Sequence, residues 1–464
     1  MFEIDQLLRK VKRIHFIGIG GSGMCPIVEI LHTQGYEITG SDNNETDNLA
    51  RMRALGIPVT LGQTPENIEG AELIIYTAAI LPDNPELLAA QASGIPLFER
   101  NDLLGALTRH FSNCIGVSGT HGKTTTCAML THLLLSAGLD PSAVIGGKLP
   151  LTGTNGRIGK TEHFVCESCE FQDHFLKLSP NIAILLNVDE DHMEYFKTLE
   201  RLKQSFTQFA GSADKLVIYN GDDANTLDCV RPLLDAGKPA VSYGLGESCD
   251  FRAVNLTNEH EYYAFDVVRK GEPLGRVQLG VPGAHNVGNA LAVIAAAMAS
   301  GASFDQCAAG IPEFHGAGRR FETLAQIDGI TVADDYAHHP KELEVTLETA
   351  MRMGFRKVWA VFQPFTFSRT AMLFDDFVRV LKIPDHCIMT EIMGSREVNT
   401  YNIYTSQLAE KIPGSVWFDS FEVVAQYAVD HAQSGDLIIT LGCGDIYKAA
   451  KIMIKKLQER RNPA

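Results

Sequence analysis

The stretch Cys114–Thr126, CIGVSGTHGKTTT, carries residue types that could manage a polyphosphate. A short apolar run, Ile115 to Val117, stops at Ser118-Gly119, and an apolar helical pattern continues from Lys123 to Leu135. Strand, glycine loop, Lys-Thr and helix is the context a phosphate-binding loop needs. Glycines let the backbone turn N–H groups inward onto phosphate oxygens, and the helix start adds its positive dipole end. Lys123 can reach the outer phosphates, and the Thr124 hydroxyl can sit on Mg²⁺. The usual pattern G-x-x-x-x-G-K-[ST] wants glycine where this chain has Val117, so the loop is the shorter G-T-H-G-K-T-T.

Two more groups suit the same chemistry. Phe164 to Glu167 reads as a strand ending in an acid. Ile182 to Asn187 reads as a buried strand running into Val188-Asp189-Glu190-Asp191-His192. Open parallel sheets place their ligand crevice past the strand carboxyl ends. Glu167 and His192 could therefore hold Mg²⁺ or Mn²⁺ beside the phosphates. Asp189 or Asp191 reads as the N-cap of a helix starting near Met193, with Asp189 the better guess for a cap than for a metal ligand.

Another glycine loop lies near the N-terminus. Gly18-Ile-Gly-Gly-Ser-Gly23 follows a strand at 13–18 and opens a helix, Met24 to Thr33, and the next strand ends at Ser41-Asp42. Alone, this β-α-β unit suggests NAD and a nicotinamide-dependent oxidoreductase. That reading leaves Gly119–Thr125 unexplained. Further strands and helices alternate to Phe98, and Arg100 to His110 links this segment to the phosphate loop.

Beyond it, Gly146–Lys148 and Gly153–Gly156 read as loops, and 250–280 alternates like hairpins. Asn286 and Asn289 open an apolar helix, as caps or as amides facing a base. Arg319-Arg320 follows a glycine turn, as a solvated pair or with one member on phosphate. From about 322, strands exit into Asp334-Asp335-Tyr336-Ala337-His338-His339, Gln363-Pro364, Glu391 and Gly442-Cys443-Gly444-Asp445. Adjacent side chains diverge, so His338-His339 is disfavoured as a metal pair.

At about 150 residues per domain, 464 residues suggest three domains. Hydrophobic residues at 45% and charged residues at 21% describe a globular chain. The net charge of −16 argues against nucleic acid or an anionic membrane as partner. Ten scattered cysteines, no secretory leader and no 18-residue apolar window predict a cytoplasmic chain with reduced thiols and no membrane insertion. Cys166 and Cys169 have no second C-x-x-C to complete a zinc site, and buried thiols are the better reading.

Taken in order, the motifs are G-I-G-G-S-G-M, G-T-H-G-K-T-T-T, E-S-C-E, N-V-D-E-D-H-M-E, G-A-H-N-V-G-N, G-A-G-R-R-F-E, D-D-Y-A-H-H-P and F-Q-P-F-T-F-S-R-T. This series closely resembles the Mur ligases of peptidoglycan synthesis, over essentially the whole chain. The resemblance implies an α/β fold of three domains: a Rossmann-like UDP-sugar domain at 1–106, a P-loop-type ATPase domain with a mostly parallel sheet at 107–321, and a Rossmann-like amino-acid domain at 322–464. It is strongest to members that join L-alanine to UDP-N-acetylmuramate through an acyl phosphate. A sister ligase adding a recycled peptide is the alternative.

The resemblance also implies roles. Gly20, Gly21, Ser22, Gly23, Met24, Ser41 and Asp42 would hold the UDP-sugar in place of a nicotinamide cofactor. Gly119, Thr120, His121, Gly122, Lys123, Thr124 and Thr125 would cradle ATP, with Asn286 at the adenine, Arg320 at the phosphates and Asp335 at the ribose. Thr124, Glu167 and His192 would bind Mg²⁺, which Mn²⁺ may replace, and Tyr336, His338, His339, Arg369 and Arg396 would line the amino-acid and acyl-phosphate region. Lys123, Glu167, His192, His339 and Arg369 form the implied catalytic set, in a monomer or weak homodimer. Two stretches depart from the family: Glu167-Ser-Cys-Glu170 stands where E-A-D-E is frequent, and Phe365-Thr-Phe where His-Arg-Tyr is. Lys203 is too close to Asp191-His192 to be assigned as the carbamylated lysine of sister enzymes.

Overall fold

The computed structural model describes residues 3–395 and 397–461. Among them the strands form three sheets. The first contains β1 (Arg13–Ile17), β2 (Glu37–Asp42), β3 (Val59–Leu61), β4 (Leu73–Tyr76) and β5 (Leu97–Glu99), all parallel, in the order β3-β2-β1-β4-β5. Strand order reverses between β1 and β4, and the crevice of a doubly wound sheet opens at such a point. The glycine loop after β1 sits there.

The second sheet contains β6 (Asn113–Ser118), β7 (Ser142–Leu149), β8 (Thr154–Arg157), β9 (His163–Glu167), β10 (Ile182–Leu185), β11 (Leu216–Asn220), β12 (Ala240–Gly244), β13 (Phe251–Glu259), β14 (Tyr262–Arg269) and β15 (Glu272–Gln278). Its order is β15-β14-β13-β12-β11-β10-β6-β9-β7-β8. The run from β12 to β7 is parallel, and β8 returns antiparallel on β7. β6, the strand before the phosphate loop, is buried along its whole length, as a central parallel strand covered on both faces should be.

The third sheet contains β16 (Glu322–Ile327), β17 (Ile330–Asp335), β18 (Val358–Phe362), β19 (His386–Thr390), β20 (Val416–Phe418) and β21 (Leu437–Leu441). Its order is β16-β17-β21-β18-β19-β20, with only β16 antiparallel. Contacts divide the chain into two compact units. One runs to Leu256 and adds Phe265–Gln278 and Val287–Phe314; the other takes Thr257–Ala264, Leu279–Asn286 and everything from His315. Within the first unit, one apolar core joins Phe16, Leu31, Leu103, Phe164, Phe175 and Phe209. Each such side chain contributes about 1.5–3 kcal/mol by leaving water.

Two local expectations change. The segment 100–110 is a helix, Arg100–His110, rather than a plain link. The glycines at 146, 147 and 153–156 do not make loops throughout, since most lie in β7 and β8. They look like loop residues because close approach demands glycine there: a Cβ at Gly146 would sit 2.7 Å from Glu167 Oε1, and one at Gly156 2.3 Å from Pro26 Cβ. Glu86 is fully buried. It opens the helix Pro85–Ser93, where Asn84 Oδ1 accepts its N–H at 3.0 Å. Its carboxylate meets His15 Nε2 at 2.7 Å and accepts from Ser41 Oγ at 2.6 Å, while His15 Nδ1 lies 2.7 Å from Thr39 Oγ1. Glu86→Ala strands two buried polar groups at about 1–3 kcal/mol each, so chemical denaturation should show a loss of at least about 2 kcal/mol. An unchanged midpoint would mean that this network contributes nothing.

Candidate active site

Gly119–Gly122 joins β6 to the helix Lys123–Ser136. Gly119 (φ +149°) and Gly122 (φ +86°) take backbone conformations that side chains disfavour. The loop is stitched to the segment after β10. Thr120 N–H donates to Asn187 O at 3.0 Å, and His121 N–H to Asn187 Oδ1 at 2.8 Å. Asn187 Nδ2 returns a bond to His121 O at 3.1 Å, and Asp189 N–H donates to Thr120 Oγ1 at 2.9 Å.

Lys123 Nζ donates to Gly119 O, to Thr120 O at 3.1 Å, and to both oxygens of Glu170 at 2.9 and 3.1 Å. Burial alone would lower its pKa; the nearby Glu170 carboxylate outweighs this and raises it, so the ammonium stays charged. Beside it, Thr124 Oγ1 donates to Glu167 at 3.0 and 3.1 Å. Glu167 also accepts the Gly146 N–H at 2.7 Å. Thr125 lies in the same first helical turn, partly exposed.

His192 has its ligand atoms grouped with those of Glu170 and Asp191, all within 4.8 Å of one another. Among the described residues, Glu170 and Asp191 are thus the acids grouped with His192, and Glu167, expected beside it, is not in that group but sits on Thr124 and the Gly146 N–H. The capping expectation is corrected: the short helix Met193–Phe196 starts at His192 with no side-chain cap. Asp189 and Asp191 instead accept the N–H of their own successors, Glu190 and His192, at 3.0 and 2.8 Å. An acidic residue directly before a turn can close on its neighbour as readily as on the helix. Lys203 pairs with Asp228 at 2.9 Å.

In the first sheet's crevice, a cavity of about 480 Å³ is lined by Gly18, Gly21, Asp42, Asn43, Thr77 and Asn84, among others. Gly20 N–H donates to Asp42 Oδ2 at 3.0 Å, so this acid braces the glycine loop. Gly21 and Ser22 are exposed. Ser41 and Met24 are corrections: neither offers a side chain to the cavity. Strand alternation turns Ser41 inward to Glu86, and Met24 is 1% exposed in the core. Gly23 is close to Arg100, whose Nη1 would lie 3.0 Å from a Cβ at that position.

In the second compact unit, Arg319 Nε donates to Asp334 Oδ2 at 2.8 Å, and its guanidinium lies 5.0 Å from the Tyr336 and Tyr447 ring centroids. Arg320 lies over Tyr336 at 5.1 Å. Asp335 accepts the N–H groups of Phe321 and Ala337, both at 2.7 Å. His338 Nδ1 lies 3.1 Å from Tyr336 O and 3.2 Å from Glu342 Oε2. His339 caps the helix Pro340–Arg352, accepting the Lys341 N–H at 3.3 Å. Among the described residues the Arg369 guanidinium makes no hydrogen bond or ion pair, whereas Arg396 lies outside the described residues. Asn286 Nδ2 donates to Pro282 O at 2.7 Å. In the first unit, Asn289 Oδ1 would be 3.0 Å from a Cβ at Gly122.

Glu170, Asp191, Asn187 and Arg100 were not assigned to the site from the sequence. Glu170 closes E-S-C-E, and Asn187 and Asp191 lie in N-V-D-E-D-H-M-E, whereas Arg100 belongs to none of the motifs.

The chain belongs to the Mur ligases: residues 13–112 match the Mur ligase family catalytic domain, 117–297 the Mur ligase middle domain and 319–444 the Mur ligase glutamate ligase domain. Its relatives include UDP-N-acetylmuramate–L-alanine ligases. That of Acetivibrio thermocellus is 40% identical over 461 residues, covering 97% of both chains. That of Caldanaerobacter subterraneus subsp. tengcongensis is 39% identical, covering 98% of this chain and 99% of the relative. A crystal structure of the UDP-N-acetylmuramate-alanine ligase of Thermotoga maritima superposes with a TM-score of 0.83 at 27% identity, covering 97% of this chain and 99% of that one. A murein peptide ligase from Psychrobacter arcticus shares the fold at a TM-score of 0.73 and 22% identity, covering 96% and 99%. Among the described residues no helix is long and apolar enough to cross a membrane.

Burial pushes the Asp335 carboxyl up to about 6, against the opposing charge of Arg320 and the two backbone donors. The folded state therefore keeps this proton to higher pH than the unfolded chain, whose carboxyl titrates near its ordinary 3.8. The native state binds more protons between these values, so this group's contribution to stability falls as pH rises from about 4 to about 6. Carboxyl carbon NMR should place the Asp335 midpoint near 6, and Asp335→Asn should flatten the stability profile in that window. A midpoint below 4 would refute this.

Proposed function

We propose that this protein joins L-alanine to the lactyl carboxylate of UDP-N-acetylmuramate using ATP, in the building of peptidoglycan precursors. One observation carries the reading: Lys123 and Thr124, adjacent at one helix start, are met respectively by Glu170, in the loop just after β9, and by Glu167, the last residue of β9. The near-full-length similarity to alanine ligases supports the choice of acceptor. ATP, free L-alanine and a nucleotide sugar as substrates place the work in the cytoplasm.

A lactyl carboxylate oxygen bonds to the γ-phosphorus of ATP, the bond to the β-phosphate oxygen breaks, and ADP leaves. The alanine nitrogen then attacks the acyl carbon, the carbon–oxygen bond to phosphate breaks, and the amine loses its proton. Backbone N–H groups at the helix start, Gly122–Thr125, hold the polyphosphate at the positive end of that helix, while those of Thr120 and His121 stay on Asn187 and fix the rest of the Gly119–Thr125 loop. Lys123, kept charged by Glu170, transfers part of its hydrogen bonding to the phosphoryl oxygens as they gain charge.

The donor set suits Mg²⁺. Thr124, Glu167 and His192, with Glu170 and Asp191, supply mainly hard oxygens, and the imidazole also tolerates Mn²⁺. When bound, the cation would offset charge on the phosphoryl oxygens. In the first sheet's crevice, backbone groups of Gly20–Gly23 take the diphosphate while Asp42 braces them. Arg320 and Asp335 serve the nucleotide, Asn286 the adenine, and Tyr336, His338, His339, Arg369 and Arg396 the amino-acid side. The Arg369 guanidinium, unpaired among the described residues, suits a carboxylate or acyl phosphate.

Phosphate release with ATP and UDP-N-acetylmuramate, measured across an acceptor panel, tests the reading. L-alanine should be the preferred acceptor, and a preference for a preformed peptide would overturn the assignment. Lys123→Ala should abolish turnover while leaving UDP-N-acetylmuramate affinity within about threefold, an effect below 1 kcal/mol. Glu167→Gln should lower turnover by at least about a hundredfold, roughly 3 kcal/mol of transition-state stabilisation, with partial rescue by added Mg²⁺ or Mn²⁺. Unchanged turnover and metal dependence in Glu167→Gln would remove Glu167 from the metal set.

A further inference from the structure

Arg100 opens the helix Arg100–His110 directly after β5, in the first compact unit. Its side chain turns to the glycine loop. Nη1 lies 3.5 Å from Gly23 O, at the outer limit of a hydrogen bond, and Nη2 donates to Asn101 Oδ1, a neutral amide. Among the described residues it forms no ion pair. Glu99, one residue away, is engaged by Asn101 Nδ2 at 2.8 Å and by His174 Nε2 at 3.6 Å. Arg100 is thus a largely desolvated cation with no carboxylate in hydrogen-bond contact; burial lowers its pKa, and the more distant Glu99 and Glu167 carboxylates offset this only in part.

A guanidinium taken out of water without a counterion is costly, and proteins seldom retain one without an anion to meet. The third glycine of the motif usually permits close packing of helix on strand. Here the space left by the missing Gly23 side chain is taken by this guanidinium: a Cβ there would stand 3.0 Å from Nη1 and 3.4 Å from Cζ. The loop's exposed residues, Gly21 and Ser22, immediately precede Gly23. The planar fork of arginine suits two phosphate oxygens at once.

We infer that Arg100 is a ligand of the nucleotide-sugar diphosphate, completing with its guanidinium the anion site whose backbone half is the glycine loop Gly18–Gly23. The inference rests on the reading that this loop holds a nucleoside diphosphate. It makes Gly23 a residue that accommodates the arginine. The anion arrives with the substrate and supplies the direct ion pair that Arg100 lacks among the described residues.

The test is calorimetric or NMR titration of the full-length protein, without ATP, using uridine, UDP and UDP-N-acetylmuramate as probes. For Arg100→Ala we expect UDP and UDP-N-acetylmuramate to weaken alike, by about 10- to 100-fold, while uridine is unchanged; this is the size of a charge-assisted hydrogen bond expressed as affinity. Arg100→Lys keeps the charge without the fork and should recover part of the loss. Equal weakening of uridine would mark a merely structural residue and overturn the inference. So would weakening of UDP-N-acetylmuramate with UDP unaffected, which would assign Arg100 to the sugar's carboxylate. Should Arg100→Ala fail to fold, Arg100→Lys carries the test, and wild-type affinity for UDP in that variant would overturn the inference. A wild-type protein that binds no UDP would instead refute the reading of the loop itself.

Discussion

The pairing of β9 on β6 sets the rest of the site. Its register puts Glu167 beside Val117, just before the phosphate loop begins. On the other flank, β10 sets Leu185 beside Ser118, so the chain leaving β10 passes directly under the loop. Parallel strands end at one edge of a sheet, and these two registers place a carboxylate, an amide and an imidazole-bearing turn around one helix start. A shift of one residue in β9 would turn Glu167 to the opposite face. Gly146 in β7 tightens this arrangement, since its N–H meets Glu167 where any side chain would collide.

The chain carries a net charge of −16, yet its proposed substrates are anions. Long-range attraction therefore cannot gather them, and the task falls to individual cations in local fields. Lys123 is held charged by Glu170, and Arg369 carries no partner among the described residues. Carboxylates at the site hold the lysine and supply hard donors in the same place, so acidity and anion binding coexist by separation over a few ångströms.

The parallel architecture and the two glycine loops were legible because each strand is a short apolar run that ends in glycine or a polar turn. The Lys-Thr pair was legible for the same local reason. Ser41 and Glu86 were not. The alternation of β2 puts Ser41 on an inward face, but only the packing of the helix Pro85–Ser93 reveals the carboxylate that binds it. Arg100 and Glu170 escaped for a related cause. Their surroundings come from segments 77 and 47 positions away, at Gly23 and Lys123, and no local pattern records such a meeting. The strand glycines at 146 and 156 misled in the opposite direction, because a residue selected for lack of bulk resembles one selected for freedom of turn.

Asn187 binds His121 in both directions, through its amide oxygen and its amide nitrogen. It behaves as one extra rung between the phosphate loop and the strand-end segment, made by a side chain in place of a backbone. Closing that rung during folding settles the loop's conformational entropy before any nucleotide arrives. The free energy of nucleotide binding is then spared the cost of ordering this loop, and affinity reflects the contacts made to the phosphates. Recognition by this loop is preorganised through the two Asn187 bonds.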